Sequence, residues 1–295
     1  MKHKIAFLIL FTIGLAQAQN TFYQNKLADH NLKGKVKNFS EYSCNKDEEP
    51  SIDNIIRTYH FNPKGFLIRM ESYEKGVLNE HEEYTYNEMD SVIQYTRYNK
   101  DNTKKDETIN EYGPDKLLNK TSNYEKGILT DSYTYAYNNK RQLIVMKYFM
   151  KNNALGSKYS YSYNLKGLLE KTIWTDNKQK LLSETTYKYD ALNQLIEQRD
   201  SDHKDIDTKY RKTYNNKRKC ITDVMIDKQN KIITDAKYEY SDTNEILKSQ
   251  TLIPYMNMEM IDKYSYIFDE NHNWIQSTCV SKKNTRIIKR VFNYE

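Results

Sequence analysis

The side chains able to do chemistry in this chain are thinly spread, and their spacing speaks for contact more than for catalysis. His60, His81, His203 and His272 are scattered, with no His-x-x-x-His or Cys-x-x-Cys spacing that would hold a metal. His60 and His81 fall near strands of adjacent hairpins, but two histidines do not make a site. No Gly-x-Ser-x-Gly elbow, phosphate loop or dinucleotide fingerprint occurs. Carboxylates are abundant, which leaves a paired-carboxylate glycosidase open as chemistry. Most of them sit at turns and on polar alternations, where solvation accounts for them. The expectation is a protein with no enzymatic activity, metal or cofactor. What remains is aromatic: 27 Tyr, 9 Phe and 2 Trp. Planar amphipathic rings give large contact area at low rotamer cost, which suits binding. Trp174, Trp274, Tyr135, Tyr161 and Tyr187 are the candidate ligand-contact residues. Trp274 occupies a position that holds Leu elsewhere in the chain, which also fits a core role. Trp174, near Thr172 and Thr175, is the better exposed platform.

These rings need elements to position them, and the sequence shows which. An aromatic-x-aromatic-Asn/Asp motif appears at Tyr59-His60-Phe61-Asn62, Tyr84-Thr85-Tyr86-Asn87, Tyr135-Ala136-Tyr137-Asn138, Tyr161-Ser162-Tyr163-Asn164, Tyr187-Lys188-Tyr189-Asp190 and Tyr266-Ile267-Phe268-Asp269. Degenerate copies at Tyr112, Tyr214 and Tyr240 fill the gaps, so the second aromatic recurs in steps of 25 to 28 residues. A period that steady means an array of one supersecondary unit. After each motif comes a polar turn such as Asn62-Pro63-Lys64-Gly65 or Asn138-Asn139-Lys140-Arg141. An apolar pair then follows at +6 and +7 from the second aromatic, as in Leu67-Ile68, Val92-Ile93 and Leu143-Ile144. A second turn lies about 13 residues on, best seen in Tyr73-Glu74-Lys75-Gly76-Val77 and Tyr124-Glu125-Lys126-Gly127-Ile128. Asn and Gly tolerate the positive φ that tight hairpins require. The stretches between turns alternate by two and are rich in Tyr, Thr, Ile and Val, which is strand chemistry. The expected fold is all-β: about nine 26-residue antiparallel β-hairpins in a long curled or spiral single sheet, because open sheets this wide twist.

The ends read differently from the middle. Lys2 and Lys4, the apolar stretch Ile5 to Leu15 and Ala16-Gln17-Ala18 have the layout of a cleaved signal peptide, residues 1–18. That implies export to the periplasm or beyond the cell. Residues 19–57 lack the motif and read as an N-terminal capping segment, with the repeat array over 58–295. Arg286 to Tyr294 reads as a final, charge-studded edge strand. The formal charge is +6, from 46 basic and 40 acidic residues well mixed along the chain, and removing Lys2 and Lys4 leaves +4. No basic stripe of the kind nucleic acid requires is visible, and no later apolar run approaches a helical transmembrane span. Cys44, Cys220 and Cys279 do not make a disulfide framework; in a simple meander Cys220 and Cys279 stand four strands apart, too far to bridge.

The motif Tyr-x-Tyr-Asp/Asn, a short turn with Gly or Asn, then Leu-Ile, resembles the YD repeats of Rhs proteins. Tyr187-Lys188-Tyr189-Asp190-Ala191-Leu192-Asn193-Gln194-Leu195-Ile196 is the nearest copy. The resemblance covers residues 58 to 295 and implies a β-hairpin ribbon, able to spiral into a hollow shell, of secreted and cell-surface proteins. The leader and lone Asn-rich array look like exported proteins of the Bacteroidetes. The chain departs from full Rhs proteins in being too short for a complete cocoon and in ending on a repeat strand with no toxin-like domain. A weaker likeness is to MORN-type hairpin repeats, through Tyr73 to Leu78 and Tyr124 to Leu129.

Three functions follow as expectations. The first is an exported, non-enzymatic repeat scaffold that binds a protein partner at the cell envelope or outside the cell. The second is a carbohydrate-binding module that uses Tyr and Trp faces. The third, by analogy alone, is an exported antitoxin. Aromatics along one concave stripe would favour a glycan; a broad convex apolar patch would favour a protein.

Overall fold

The computed structural model describes residues 26–202, 207–282 and 284–295. The leader reading over 1–18 and His203 lie outside them. Among the described residues there are twenty strands, all antiparallel to their neighbours. β1 (Val36–Cys44) comes first. It is followed by β2 (Ile55–Phe61), β3 (Leu67–Glu74), β4 (Val77–Tyr86), β5 (Val92–Asn99), β6 (Lys104–Tyr112) and β7 (Leu118–Glu125). Then come β8 (Ile128–Tyr137), β9 (Leu143–Met150), β10 (Leu155–Tyr163), β11 (Leu169–Asp176), β12 (Leu181–Tyr189) and β13 (Leu195–Asp202). The last are β14 (Asp207–Tyr214), β15 (Cys220–Ile226), β16 (Ile232–Tyr240), β17 (Ile246–Ile253), β18 (Met258–Phe268), β19 (Trp274–Val280) and β20 (Thr285–Tyr294).

Neighbours in sequence are neighbours in the sheet, as the hairpin period requires. The open or spiral sheet, however, is overturned. β1 pairs with β2 on one side and with β20 on the other, from Val36 opposite Tyr294 to Cys44 opposite Ile287. The sheet is therefore a closed barrel. An open ribbon would leave two strands with unpaired backbone groups; closure satisfies both at once. The strand that completes the ring carries no motif, and its partner lies about 250 residues away in sequence. A local period contains nothing that specifies that pairing.

The repeat explains its own residues in the barrel. In each of the nine motif hairpins the register slips at the second aromatic, as between Thr85 and Tyr86, Ala136 and Tyr137, or Ser162 and Tyr163. The extra residue on the partner strand is the one at +7, Ile93, Ile144 or, where that position is polar, Glu170. That bulge is why two adjacent positions are apolar in a strand that otherwise alternates. The first of the pair is buried (Leu67, Val92, Leu118, Leu143, Leu169, Leu195), whereas Ile68 and Leu247 are exposed. Nine bulges along one rim add bend and twist, which helps the sheet curl shut.

The Asn or Asp after the second aromatic caps the turn. Asn164 Oδ1 accepts the backbone N–H groups of Lys166 and Leu168 at 3.0 Å, and Asn62, Asn87, Asn138, Asp190 and Asn215 do the same. The fourth turn residue takes positive φ whether it is Gly (Gly65, Gly167), Asn193 or Arg141. The Lys75-Gly76 and Lys126-Gly127 turns carry positive φ at both residues, the primed geometry of a two-residue hairpin.

Candidate functional site: the tyrosine face of the barrel

Strand alternation sorts the side chains into two faces with different chemistry. One carries Tyr59, Tyr84, Tyr133, Tyr135, Tyr159, Tyr161, Trp174, Tyr187, Tyr210 and Tyr266. The other is lined with opposed charges in cross-strand pairs, such as Lys188–Glu197 at 2.7 Å, Lys171–Glu184 at 3.0 Å and Lys248–Glu239 at 2.9 Å.

The tyrosine face is the concave one. Burial raises the Tyr161 phenol far above its ordinary value, and Tyr135 and Tyr187, two strands away on either side, push it further. Tyr137 responds in the same way to Tyr112 and Tyr163. Burial brings Tyr133, Tyr163 and Tyr189 up to about 12. The large rings Phe39, Tyr59, Tyr84 and Tyr187 on this face are buried, whereas the paired lysines Lys171, Lys188 and Lys248 on the other stand 31–69% exposed, the crowding of an inward face of a closed sheet. Twenty strands at about 4.8 Å give a barrel roughly 30 Å across before tilt widens it, more than side chains can fill. The tyrosines therefore line a lumen.

The second tyrosine of the motif is fixed by a ladder of its own. The phenols of Tyr86, Tyr112, Tyr137, Tyr163, Tyr214 and Tyr240 donate to the backbone carbonyls of Leu67, Val92, Leu118, Leu143, Leu195 and Cys220 at 2.5–3.0 Å. Each of these carbonyls lies two residues before the first backbone pair with the tyrosine's strand, as Leu143 precedes Val145 opposite Ser160. The phenol continues the hydrogen bonding where the backbone ladder stops. This is why Tyr, and seldom Phe, holds the position.

The first tyrosine of the motif and its neighbours form the candidate site. Trp174 stacks on Tyr159 with centroids 5.5 Å apart and planes 4° from parallel. On the side away from Tyr159, Trp174 is paired with the small Ser183, and Ser183 with Asp202. The next row runs Tyr161, Thr172, Thr185, Asp200, and the one after it Tyr187, Gln198, Tyr210. Gln198 Nε2 donates to both oxygens of Asp200 at 3.0 and 3.1 Å. An aromatic wall thus borders a floor of Ser and Thr that ends in an amide and a carboxylate. Trp174 Nε1 is buried with no hydrogen-bond partner.

The five residues expected from sequence divide accordingly. Tyr135, Tyr161, Tyr187 and Trp174 share the concave face of β8 to β12, and Tyr135 also donates to Thr121 Oγ1 at 3.1 Å. Tyr187 is buried against Leu169 and Leu195, so its ring is as much core as surface. Trp274 is elsewhere, at the seam. The Arg290 guanidinium lies 3.4 Å from its ring centroid and bonds Glu41 at 2.8 and 3.0 Å. Ser183, Gln198, Asp200 and Asp202 were not legible as site residues, because only the register across three hairpins brings them beside Trp174.

The convex face holds one cluster whose members come from β2, β3 and β4 and meet only across those paired strands. His60 approaches Glu71 at 3.5 Å, Arg69 bridges Glu71 and Glu83 at 2.9 Å each, and Tyr73 donates to Glu71 at 2.8 Å. His81 is buried, stacks on Tyr98 at 4.6 Å and lies 3.8 Å from Glu83. Burial, then the Arg69 charge, lowers its pKa. Among the described residues no group of three or more metal-ligating side chains is assembled.

No protein-family model and no curated protein matches the sequence. Among solved structures, the chain is similar to a porin-like protein from Bacteroides uniformis, at 11% identity over 88% of this chain and 99% of that one, with a TM-score of 0.38. It is also similar to TcdB2-TccC3 without its hypervariable C-terminal region, at 10% identity over 81% of this chain, with a TM-score of 0.33. A third similar structure is the Photorhabdus luminescens Tc holotoxin pore, at 10% identity over 81% of this chain, with a TM-score of 0.34. The chain spans only 16% and 19% of those two toxin chains. Scores this low carry no argument; the barrel rests on its own strand pairings.

Proposed function

We propose that the protein is an exported, non-enzymatic barrel that binds a carbohydrate on its tyrosine-lined inner face. The observation that carries this reading is the wall of Tyr159, Trp174, Tyr161 and Tyr187 beside Ser183, Thr185, Gln198 and Asp200. Sugar rings present apolar C–H faces to aromatic rings and hydroxyls to amides and carboxylates, and this floor offers both. The Asn and Asp of the motif take no part, since their oxygens are occupied in turns.

Export rests on the Lys2 to Ala18 layout. Most strands, fourteen of the twenty, carry a charged residue on the convex face, as at Lys147, Lys158, Lys171, Glu184, Glu197 and Lys209. Each such lysine would cost about 2–4 kcal/mol at a bilayer midplane, and each glutamate somewhat less, so the reading is of a barrel whose wall faces water. No helix among the described residues is long and apolar enough to cross a membrane.

A glycan array followed by calorimetry tests the proposal. Saturable binding that falls at least about ten-fold, or about 1.4 kcal/mol, in Trp174→Ala supports it. Silence across the array, or equal loss in a folded variant altered only on the convex face such as Lys158→Gln, overturns it.

A further inference from the structure

The two rims of the barrel differ in a way that ligand binding inside does not use. Along one arc of a rim, at the β7–β8, β9–β10, β11–β12, β15–β16, β17–β18 and β19–β20 turns, apolar side chains stand in solvent; the β1–β2 turn, elsewhere on the same rim, carries the acids Asp47, Glu48, Glu49 and Asp53. Ile128, Leu181, Ile232, Tyr255, Met256 and Val280 are between 42% and 67% exposed. Three of them are the first residue of their strand (Ile128, Leu181, Ile232), so they recur with the array and form an arc rather than scattered points. Among the turns between them, Lys151, Lys178, Lys180, Lys228 and Lys231 are exposed and make no ion pair among the described residues. Asp176 and Asp227 each spend an oxygen capping their own turns, and Asp207, within electrostatic reach of Lys228, is held by Arg199. At the opposite rim the tips are Asn-rich turns, with Met89, Leu165 and Leu192 as isolated exposed apolar residues.

We infer that this rim docks end-on against an anionic lipid surface. Apolar side chains at one level, interleaved with lysines, fit the boundary between acyl chains and negatively charged headgroups. The charged convex wall then stays in water, so the barrel rests on the bilayer without spanning it. An acidic protein or a second copy of the chain would need a matching apolar ring and is the competing outcome.

Vesicle co-sedimentation of the full mature chain tests this, with phosphatidylcholine alone and with about one-third phosphatidylglycerol added. Binding is expected to the anionic vesicles only, and to weaken with salt. Leu181→Ser/Ile232→Ser/Tyr255→Ser and Lys178→Gln/Lys180→Gln/Lys228→Gln should each cut the bound fraction about ten-fold or more. Leu165→Ser/Leu192→Ser at the other rim should leave it unchanged. Far-ultraviolet circular dichroism identical to the parent keeps these comparisons valid, and all the substituted side chains are exposed. Absence of binding to anionic vesicles at low salt overturns the inference, as does equal loss in the opposite-rim variant. Light scattering that shows a dimer abolished by the apolar triple variant, without vesicle binding, assigns the rim to a second copy instead. Glycan binding is read separately, so the two proposals fail independently.

Discussion

The seam between β20 and β1 and the nine motif hairpins solve the same problem, joining one strand to the next, by different chemistry. The hairpins repeat one solution: a capped turn, a bulge, a buried aliphatic residue and a phenol bonded to the neighbouring backbone. The seam is assembled once and from unlike parts. Phe39 is fully buried and stacks on Tyr59 at 4.5 Å and beside Phe292 at 5.3 Å. Glu41 and Arg290 form an ion pair with both side chains only about a tenth exposed. Asn273, also buried, bonds both the N–H and the carbonyl of Lys33 and the phenol of Tyr294, which in turn donates to Asp269. A repeated joint is redundant, because each unit is held by two like it. A joint made once must be specific, and buried polar groups with single correct partners make it so.

That contrast can be broken in graded steps. Arg290→Ala at the seam leaves Glu41 buried without its cation and is expected to cost about 3–5 kcal/mol. Urea unfolding should show it, and the Glu41→Gln/Arg290→Met double variant should recover much of the loss. If Arg290→Ala were silent, the seam would not be the specific joint described here. Tyr163→Phe removes one rung of the phenol ladder and should cost about 0.5–1.5 kcal/mol. Cumulative Tyr→Phe changes at Tyr112, Tyr163 and Tyr214 should add nearly independently, since the sites are far apart. A cost as large as the seam's from a single phenol would erase the distinction.

The smallest effect concerns pH. His81 is held neutral by burial, facing Arg69, Glu71, Glu83 and Tyr98, so its folded pKa lies below the unfolded value. Below about 6.5 the unfolded chain therefore binds more protons, and stability falls as pH drops through that value. His81→Phe, which keeps a ring on Tyr98, should flatten this part of the profile. A thermal-denaturation series across that range would detect the difference between the two chains.

Much of the architecture was legible. The 26-residue period named the hairpin, the strand order followed from chain order, and the Asn-x-x-Gly turns gave their positive φ. The apolar pair at +6 and +7 was visible as a pattern, but its cause, a bulge at every second aromatic, was not. Trp174 stood out by type and place, whereas the Ser183, Gln198 and Asp200 floor did not, because those residues are ordinary alone. The His60–Glu71–His81 cluster is invisible in the chain for the same reason: Glu71 meets His60 and stands opposite His81 only once β2, β3 and β4 are paired.

Local chemistry, then, was written in the chain: which segments extend, where they turn, and which rings recur on one side. Closure, the concave placement of the tyrosines and the asymmetry of the rims came only from the assembled barrel. They depend on twist and bend summed over twenty strands, and on one pairing between residues near opposite ends. No window short enough to show a repeat is long enough to contain either.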